Sequence, residues 1–128
     1  MNTSPTPLEG TTLANFETQT AVPELISIDI LEGTGDVVLA NATITAHYTG
    51  AIASTGTIFQ SSHDTGSPAT FGLHQVIAGW TQGVPGMKVG GTRRLIIPSA
   101  LAYGSRRASA AIPPNSDLVF DIELVAIV

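Results

Sequence analysis

The segment VIAGWTQGVPGMKVGG, residues 76–91, decides the fold because it holds the one stretch of the chain that reads as a helix. Two glycines and Pro85 confine that helix to residues 76–83 and give it a poor intrinsic propensity. Because a helix this short is marginal in water, packing against the rest of the chain must hold it in place. We therefore expect the other elements to be arranged around this helix and to cover it.

The only tryptophan of the chain, Trp80, lies on this helix. It follows Ile77 by three residues and Val76 by four, so the three side chains share one helix face. Burial of the indole on that face stabilises the fold by about 2–3 kcal/mol. From the pattern alone, Trp80 is interpreted as a core residue.

The chain on both sides of the helix has the pattern of β-strands. In ELISIDIL, residues 24–31, isoleucine alternates with serine and aspartate, which is the two-residue period of a half-buried strand. The other strand candidates, all rich in β-branched or aromatic residues, are ATITAHYTGAI (42–52), GTIFQSS (56–62), ATFGL (69–73), TRRLIIP (92–98) and DLVFDIELVAIV (117–128).

These elements predict an α+β fold in which a twisted antiparallel sheet of five or six strands wraps around one short helix. The segment PSALAYG, residues 98–104, allows one further helical turn. Residues 1–22 show no lasting period and are predicted to be a tail or an extended lead-in, which Leu13 and Phe16 can pin to the domain. The folded domain is predicted to span residues 23–128.

Composition excludes several classes of function. The chain has 128 residues and a formal net charge of −5, and its five lysines and arginines are too few to track the phosphates of a nucleic acid. It has no cysteine, which rules out disulfides and thiolate metal sites. No run of eighteen apolar residues is present, so we expect no membrane span. The length predicts a single domain, and we expect a monomer.

The sequence also contains no recognisable metal or nucleophile motif. His47, His63 and His74 lack the spacing of a metal site, and His47 is predicted to point outward from its strand as a surface imidazole. There is no nucleophile elbow or other nucleophile–base pattern. We expect no metal and no cofactor. The compartment stays open: cytoplasmic, or the mature part of an exported protein if an upstream signal was removed.

Five motifs occur in an order that resembles a known family. They are HYTG (47–50), GTIFQSS (56–62), VIAGWTQGVPGMKVGG (76–91), AYG (102–104) and IPPNSDLVFDIEL (112–124). Together they resemble the FKBP family, the peptidyl-prolyl cis-trans isomerases that bind tacrolimus and rapamycin, over roughly residues 33–128. The resemblance implies the fold predicted above and an enzyme that assists protein folding by rotating X–Pro bonds. It implies X–Pro polypeptides as partners and an apolar pocket for macrolides.

The resemblance also implies a set of site residues. An aromatic pocket that receives the prolyl ring is implied at Tyr48, Phe59, Trp80 and Phe120. The backbone N–H of Ile77 and the hydroxyl of Tyr103 are expected to donate to substrate carbonyls, and Gln60 to lie beside the twisting amide. Substrate-binding positions are implied at the rim residue Val76, at Phe71, and at Ile112, the apolar tip of the loop from residue 104 to 115.

The chain departs from the family pattern at three places. Gln60 stands where the family usually has an aspartate, and an amide cannot ionise but still forms hydrogen bonds. A family phenylalanine aligns with Ala69, with Phe71 nearby. Ala108 and Ala111 stand where larger side chains are common, which predicts a weaker affinity for macrolides.

Two further hypotheses therefore stay beside the active isomerase. One is a binding module of the same fold that holds proline-containing partners with low turnover, for which Gln60 is the main argument. The other is a purely structural β domain. Arg106 and Arg107 are interpreted as solvated loop charges, with a contact for acidic peptides as the alternative.

Overall fold

The six segments predicted to be strands all form strands in the computed structural model, which describes residues 8–105 and 111–128. The strands are β1 (Ile26–Leu31), β2 (Thr43–Ile52), β3 (Ile58–Ser61), β4 (Ala69–Gly72), β5 (Thr92–Ile97) and β6 (Leu118–Ile127). Helix α1 (Ala78–Gly83) is the only α-helix among the described residues, and short 3-10 turns lie at Ser62–Asp64 and Ser99–Leu101. The predicted α+β architecture is confirmed. The described ranges contain no helix long and apolar enough to cross a membrane.

All six strands form one antiparallel sheet in the order β1-β5-β6-β2-β3, with β4 also paired to β2. Since β6 occupies one edge of β2 along most of its length, β3 and β4 share the other edge. There β3 pairs with residues 49–51 of β2 and β4 with residues 43–46. The two short strands are thus successive halves of one interrupted strand, and the chain between them bulges out beside β2.

Two glycines explain how α1 packs against the sheet. A Cβ atom on Gly79 would lie 2.6 Å from a methyl carbon of Ile97, and one on Gly83 would lie 2.7 Å from a methyl carbon of Leu95. Both contacts are far shorter than any real Cβ contact, so only glycine allows this approach of α1 to β5. The poor propensity noted in the sequence is therefore a consequence of close packing.

The main core lies between α1 and the concave face of the sheet. Its fully buried side chains include Ile44, Leu73, Leu95, Ile97, Leu118 and Ile122. A second apolar cluster lies on the opposite, outer face, where alternate residues of the same strands point. That cluster consists of Leu13, Val22, Ala51, Ala53, Ile58, Ile96 and Val119.

Residues 8–22 cover part of this outer face. The N–H of Leu13 donates to the carbonyl of Gly56 at 2.8 Å, and its side chain is buried in the second cluster. The buried guanidinium of Arg94 donates to the carbonyl of Asn15 at 2.7 Å and to both carboxylate oxygens of Asp121 at 2.7 and 2.8 Å. One arginine of the sheet thus joins the N-terminal segment to β6.

The prediction that β1 is half-buried is wrong for most of its length. Ile26 packs on the second cluster, but Ile28 and Ile30 are 46% and 54% exposed. The physical reason is position: β1 is an edge strand whose only strand partner within the described ranges is β5. On the inner side, its Asp29 accepts a hydrogen bond from Arg93 at 2.6 Å.

Candidate active site

An open hollow of about 330 Å³ lies between α1, the sheet and the chain around Tyr103. The residues that line it are Tyr48, Phe59, Gln60, Phe71, Gln75, Val76, Ile77, Trp80, Tyr103 and Phe120. Nine of the ten residues singled out in the sequence therefore meet at one cavity. Ile112 is the tenth and does not line it.

Trp80 forms the base of the hollow and is only 4% exposed. Its indole meets the rings of Phe71, Phe120 and Tyr48 edge to face, with centroids 5.1, 5.4 and 5.7 Å away. These are favourable geometries for aromatic pairs. The buried Nε1–H has no hydrogen-bond acceptor in the described part of the chain, as expected where the surroundings are aromatic. Helix α1 thus presents its indole to a space walled by aromatic rings.

Phe59 and Phe120 form a second aromatic pair beside the indole. Their centroids are 5.7 Å apart and their planes lie at 87°. A Cβ atom on Gly50 of β2 would lie 2.6 Å from an atom of each ring. The glycine of the HYTG motif is therefore needed for the two phenylalanines to reach the hollow.

The backbone of Tyr48 is hydrogen-bonded to a buried serine, Ser62. The hydroxyl of Ser62 accepts a hydrogen bond from the Tyr48 N–H at 2.8 Å and lies 2.9 Å from Nδ1 of His47. Burial raises the pKa of the Tyr48 phenol above its usual value, and the nearby Tyr103 raises it further. Tyr48 therefore stays neutral at physiological pH and presents an uncharged ring.

His47 lies on the outer face as predicted, but it is half-buried and joined to other side chains. Its ring stacks on His63 with centroids 4.3 Å apart, and His63 pairs with Glu123. Within residues 8–105 and 111–128, no three His, Asp or Glu side chains are arranged to hold a metal ion. This group supports the wall of the hollow from the outer side of the sheet.

Val76 and Ile77 precede the helix, which begins two residues later than predicted, at Ala78. Ile77 is its N-cap, with an extended backbone, and its carbonyl accepts from the N–H of Trp80 at 3.0 Å. The N–H of Ile77 itself has no partner among the described residues. A donor at the rim of the hollow is thus available to a ligand carbonyl.

The polar side chains of the hollow lie at its mouth. Gln60 is exposed at the β3 edge, and Tyr103 is 38% exposed. Gln75 also lines the hollow but was not identified from the sequence, because it lies in the short connection between β4 and α1, which has no strand or helix period. None of the described lining residues is charged.

The loop from 104 to 115 is only partly described. Ile112 is 5% exposed and packs in the main core, because its side chain points inward rather than to the mouth of the hollow. Arg106, Arg107 and Ala108 lie outside the described residues, and Ala111 is exposed at their border.

Comparisons with known proteins agree with this geometry. The family model described as FKBP-type peptidyl-prolyl cis-trans isomerase matches residues 35–125. Peptidyl-prolyl cis-trans isomerase FPR2 of Saccharomyces cerevisiae is 55% identical over 84 residues, which are 64% of this chain and 62% of that protein. The FK506-binding protein of Streptomyces anulatus is 51% identical over 102 residues, 77% of this chain and 82% of that one.

Among solved structures, FkpA from Escherichia coli superposes with a TM-score of 0.74 at 36% identity, covering 90% of this chain and 52% of that one. The match of the family model extends over well more than half of the chain and includes every residue that lines the hollow. The chain therefore belongs to the FKBP-type peptidyl-prolyl cis-trans isomerases.

Proposed function

We propose that this chain binds the pyrrolidine ring of an X–Pro segment in the hollow and accelerates rotation about the bond that precedes the ring. The hollow itself carries this proposal, since it is open, about 330 Å³ in volume and walled by six aromatic side chains. Pockets that are mostly apolar with a few polar groups at the mouth are typical small-ligand sites. A proline ring is an apolar ligand of suitable size.

The reaction requires no nucleophile, because no covalent bond is made or broken. Resonance in the amide opposes rotation with a barrier of about 18–20 kcal/mol. The cis and trans forms of X–Pro differ by only about 0.5–1 kcal/mol, so the rate is what limits the exchange. The protein therefore has to favour the twisted amide over the planar one and do nothing else.

A water-poor aromatic hollow does this. The planar amide is strongly polar, whereas the twisted amide has lost its resonance and has a less charged oxygen. Removing water from both states therefore disfavours the planar one more. Each increment of about 1.36 kcal/mol in that preference accelerates the reaction tenfold.

Three groups at the mouth orient the peptide. The N–H of Ile77 and the hydroxyl of Tyr103 donate to the carbonyls that flank the proline, which holds the chain while the bond turns. Gln60 lies next to the twisting amide as a neutral donor and acceptor. The same hollow is the proposed site for macrolides such as tacrolimus and rapamycin.

Gln60 also supports a second candidate function, a module that binds proline segments but turns them over slowly. A carboxylate at this position would interact with the changing charges of the amide, and an amide group does so less strongly. The two functions differ in rate and not in binding, so one assay of cis–trans exchange separates them.

The test is exchange spectroscopy on a short X–Pro peptide with catalytic amounts of the protein. Active isomerase increases the exchange rate in proportion to protein concentration, and the binding module shifts peptide signals without faster exchange. Titration with rapamycin, followed by the emission of Trp80, reports whether the hollow accepts a ligand.

Substitutions assign the effect to the hollow. Phe59→Leu should reduce kcat/KM at least tenfold, since it removes a ring that shapes the wall. Phe16→Leu is the matched control, because Phe16 is half-buried on the outer face. Equal activity in both variants, with circular dichroism showing intact folds, would refute the proposed site.

A further inference from the structure

A groove with several polar lining residues continues from the hollow along the interrupted edge of the sheet. It has a volume of about 420 Å³ and shares Tyr48 and Gln60 with the hollow. From there it runs beside the bulge between β3 and β4 toward the N-terminal segment. Its far side is formed by Glu9, Asp64, Ser67 and Ala69. A polypeptide with its proline in the hollow can therefore extend directly into this groove.

Ala69 keeps the groove open. A phenylalanine at this position on β4 would add a ring to the groove lining, where Ala69 contributes only a methyl group. Phe71, two residues further along β4, lines the hollow and makes edge-to-face contact with Trp80. Strand β4 thus contributes an aromatic ring to the hollow and a small methyl group to the groove beside it.

The lining of the groove combines apolar surface, which includes Pro68 and Ala69, with hydroxyl groups and two carboxylates. The Asp64 carboxylate accepts hydrogen bonds from the N–H groups of Leu8 and Glu9, at 2.7 and 3.0 Å. These bonds fix its charge at the groove and hold Glu9 beside it. Two carboxylates offer about eight lone-pair sites in total, so they can accept further hydrogen bonds from a ligand.

No cation of the described chain neutralises these carboxylates. The lysine and arginines within residues 8–105 are paired elsewhere, as Lys88–Glu32, Arg93–Asp29 and Arg94–Asp121. The described lining of the groove therefore carries the negative charges of Glu9 and Asp64, next to a hollow whose described lining is uncharged.

We propose that this groove is a subsite for the chain flanking the substrate proline and that it selects a lysine or arginine side chain there. The inference rests on the proposed function, because the hollow must hold the proline first. Gln60 stands at the junction, where its amide accepts from one backbone N–H of the passing chain and donates to one carbonyl. Glu9 and Asp64 then receive the cation.

Peptides that share one X–Pro core test the proposal. Lysine, glutamine or glutamate is placed in turn at each position two to four residues from the proline on either side. At one of these positions we expect kcat/KM for lysine to exceed that for glutamate about threefold to tenfold at low ionic strength. The ratio should shrink in about 0.5 M NaCl, since salt screens partly exposed charges. Equal values for all three residues at every position would overturn the subsite.

Two variants locate the preference. Ala69→Phe fills the groove and Glu9→Gln removes one charge, and each should bring the lysine-to-glutamate ratio down at least twofold. Glu24→Gln removes an exposed charge away from the groove and should keep the wild-type ratio. If Ala69→Phe does not fold, Glu9→Gln alone decides, and an unchanged ratio in it contradicts the proposal.

The glutamine peptide distinguishes failure of the proposed isomerase function from failure of the proposed subsite. If wild-type protein does not accelerate exchange of this neutral peptide, the proposed function itself fails. If the protein accelerates exchange of the glutamine peptide but kcat/KM is the same for the lysine and glutamate peptides, only the subsite proposal fails.

Discussion

Tyr48 connects the hollow to the hydrogen bonds behind its wall. Its ring contacts Trp80 at the edge, while its N–H is held by the buried hydroxyl of Ser62. Its phenol has a raised pKa because the site removes it from water.

Stability at alkaline pH should therefore depend on Tyr48. Because the pKa of the phenol is higher in the folded protein than the ordinary value of 10.0, the folded state binds the proton more tightly. The stability linked to this proton is present below pH 10.0 and is lost as the pH rises through the folded pKa. Between about pH 9 and pH 11, wild-type protein should lose more unfolding free energy than Tyr48→Phe. Urea unfolding measures both, and equal losses would contradict the expectation.

At the scale of elements, α1 shows how packing overrides propensity. The sequence predicts a weak helix, and the structure supplies the reason through the contacts of Gly79 and Gly83 with β5. An alanine is a better helix former than glycine by about 1 kcal/mol. In this helix the added methyl group would have no room.

Gly79→Ala should consequently destabilise the protein. Overpacking against Ile97 costs about 1–3 kcal/mol, more than the gain in propensity. Ile97→Val removes one methylene-sized group from the contact, so the double variant should recover part of the loss. Thermal or urea unfolding of the two single variants and the double variant measures the coupling. A more stable Gly79→Ala protein would show that the helix shifts freely on the sheet.

The ion pair between Asp29 of β1 and Arg93 of β5 makes part of the unfolding free energy sensitive to acid. Arg93 lowers the pKa of Asp29 mainly through their hydrogen bond, and the folded state therefore binds this proton less tightly. The resulting stability is present above the ordinary value of 3.8 and is lost as the pH falls through the folded pKa.

Asp29→Asn should abolish this part of the pH dependence. Since the Asp29 side chain is 52% exposed, the effect should stay below about 1 kcal/mol. Unfolding free energies at about pH 6 and pH 2 give the loss for wild type and variant. Glu24→Gln, which removes an exposed carboxyl that has no arginine partner among residues 8–105 and 111–128, is the control and should behave as wild type.

The positions of the strands and of the helix can be predicted from the sequence more readily than the burial of their side chains and the paths of the loops. Runs rich in β-branched or aromatic residues, some with a period of two, located every strand, because such patterns are local properties of the sequence. The exposure of Ile28 and Ile30 was not predictable in this way, since it depends on β1 lying at the edge of the sheet. The inward side chain of Ile112 and the approach of Gln75 to the hollow likewise depend on how loops close, which periodicity does not encode.

At the scale of the whole molecule, the two faces of the sheet serve different purposes. The concave face holds α1 and the open hollow, and the outer face is partly closed by residues 8–22. Arg94 is central to that closure, because its guanidinium binds two backbone carbonyls of the segment and the carboxylate of Asp121. Asp121 and its hydrogen bonds also raise the pKa of Arg94, which keeps it charged.

Arg94→Lys should loosen the N-terminal segment without unfolding the sheet. A lysine keeps the charge but cannot form the forked contacts to the carboxylate and the carbonyls at once. We expect faster amide hydrogen exchange at Leu13 and Gln19, whose N–H groups donate to Gly56 and Ala53. Amides of β6 should keep their protection, and a uniform loss across the sheet would argue against a local role.

The uncovered edge of β1 has a consequence for handling the protein. In the part of the chain that the structure describes, the outer edge of β1 has no strand partner and Ile28 and Ile30 are exposed, so another copy can add a strand there. Crowding at high concentration would then favour slow self-association through this edge, even though the hollow plays no part in it. Ile30→Lys would place a repulsive positive charge at that edge and should slow self-association of the concentrated protein.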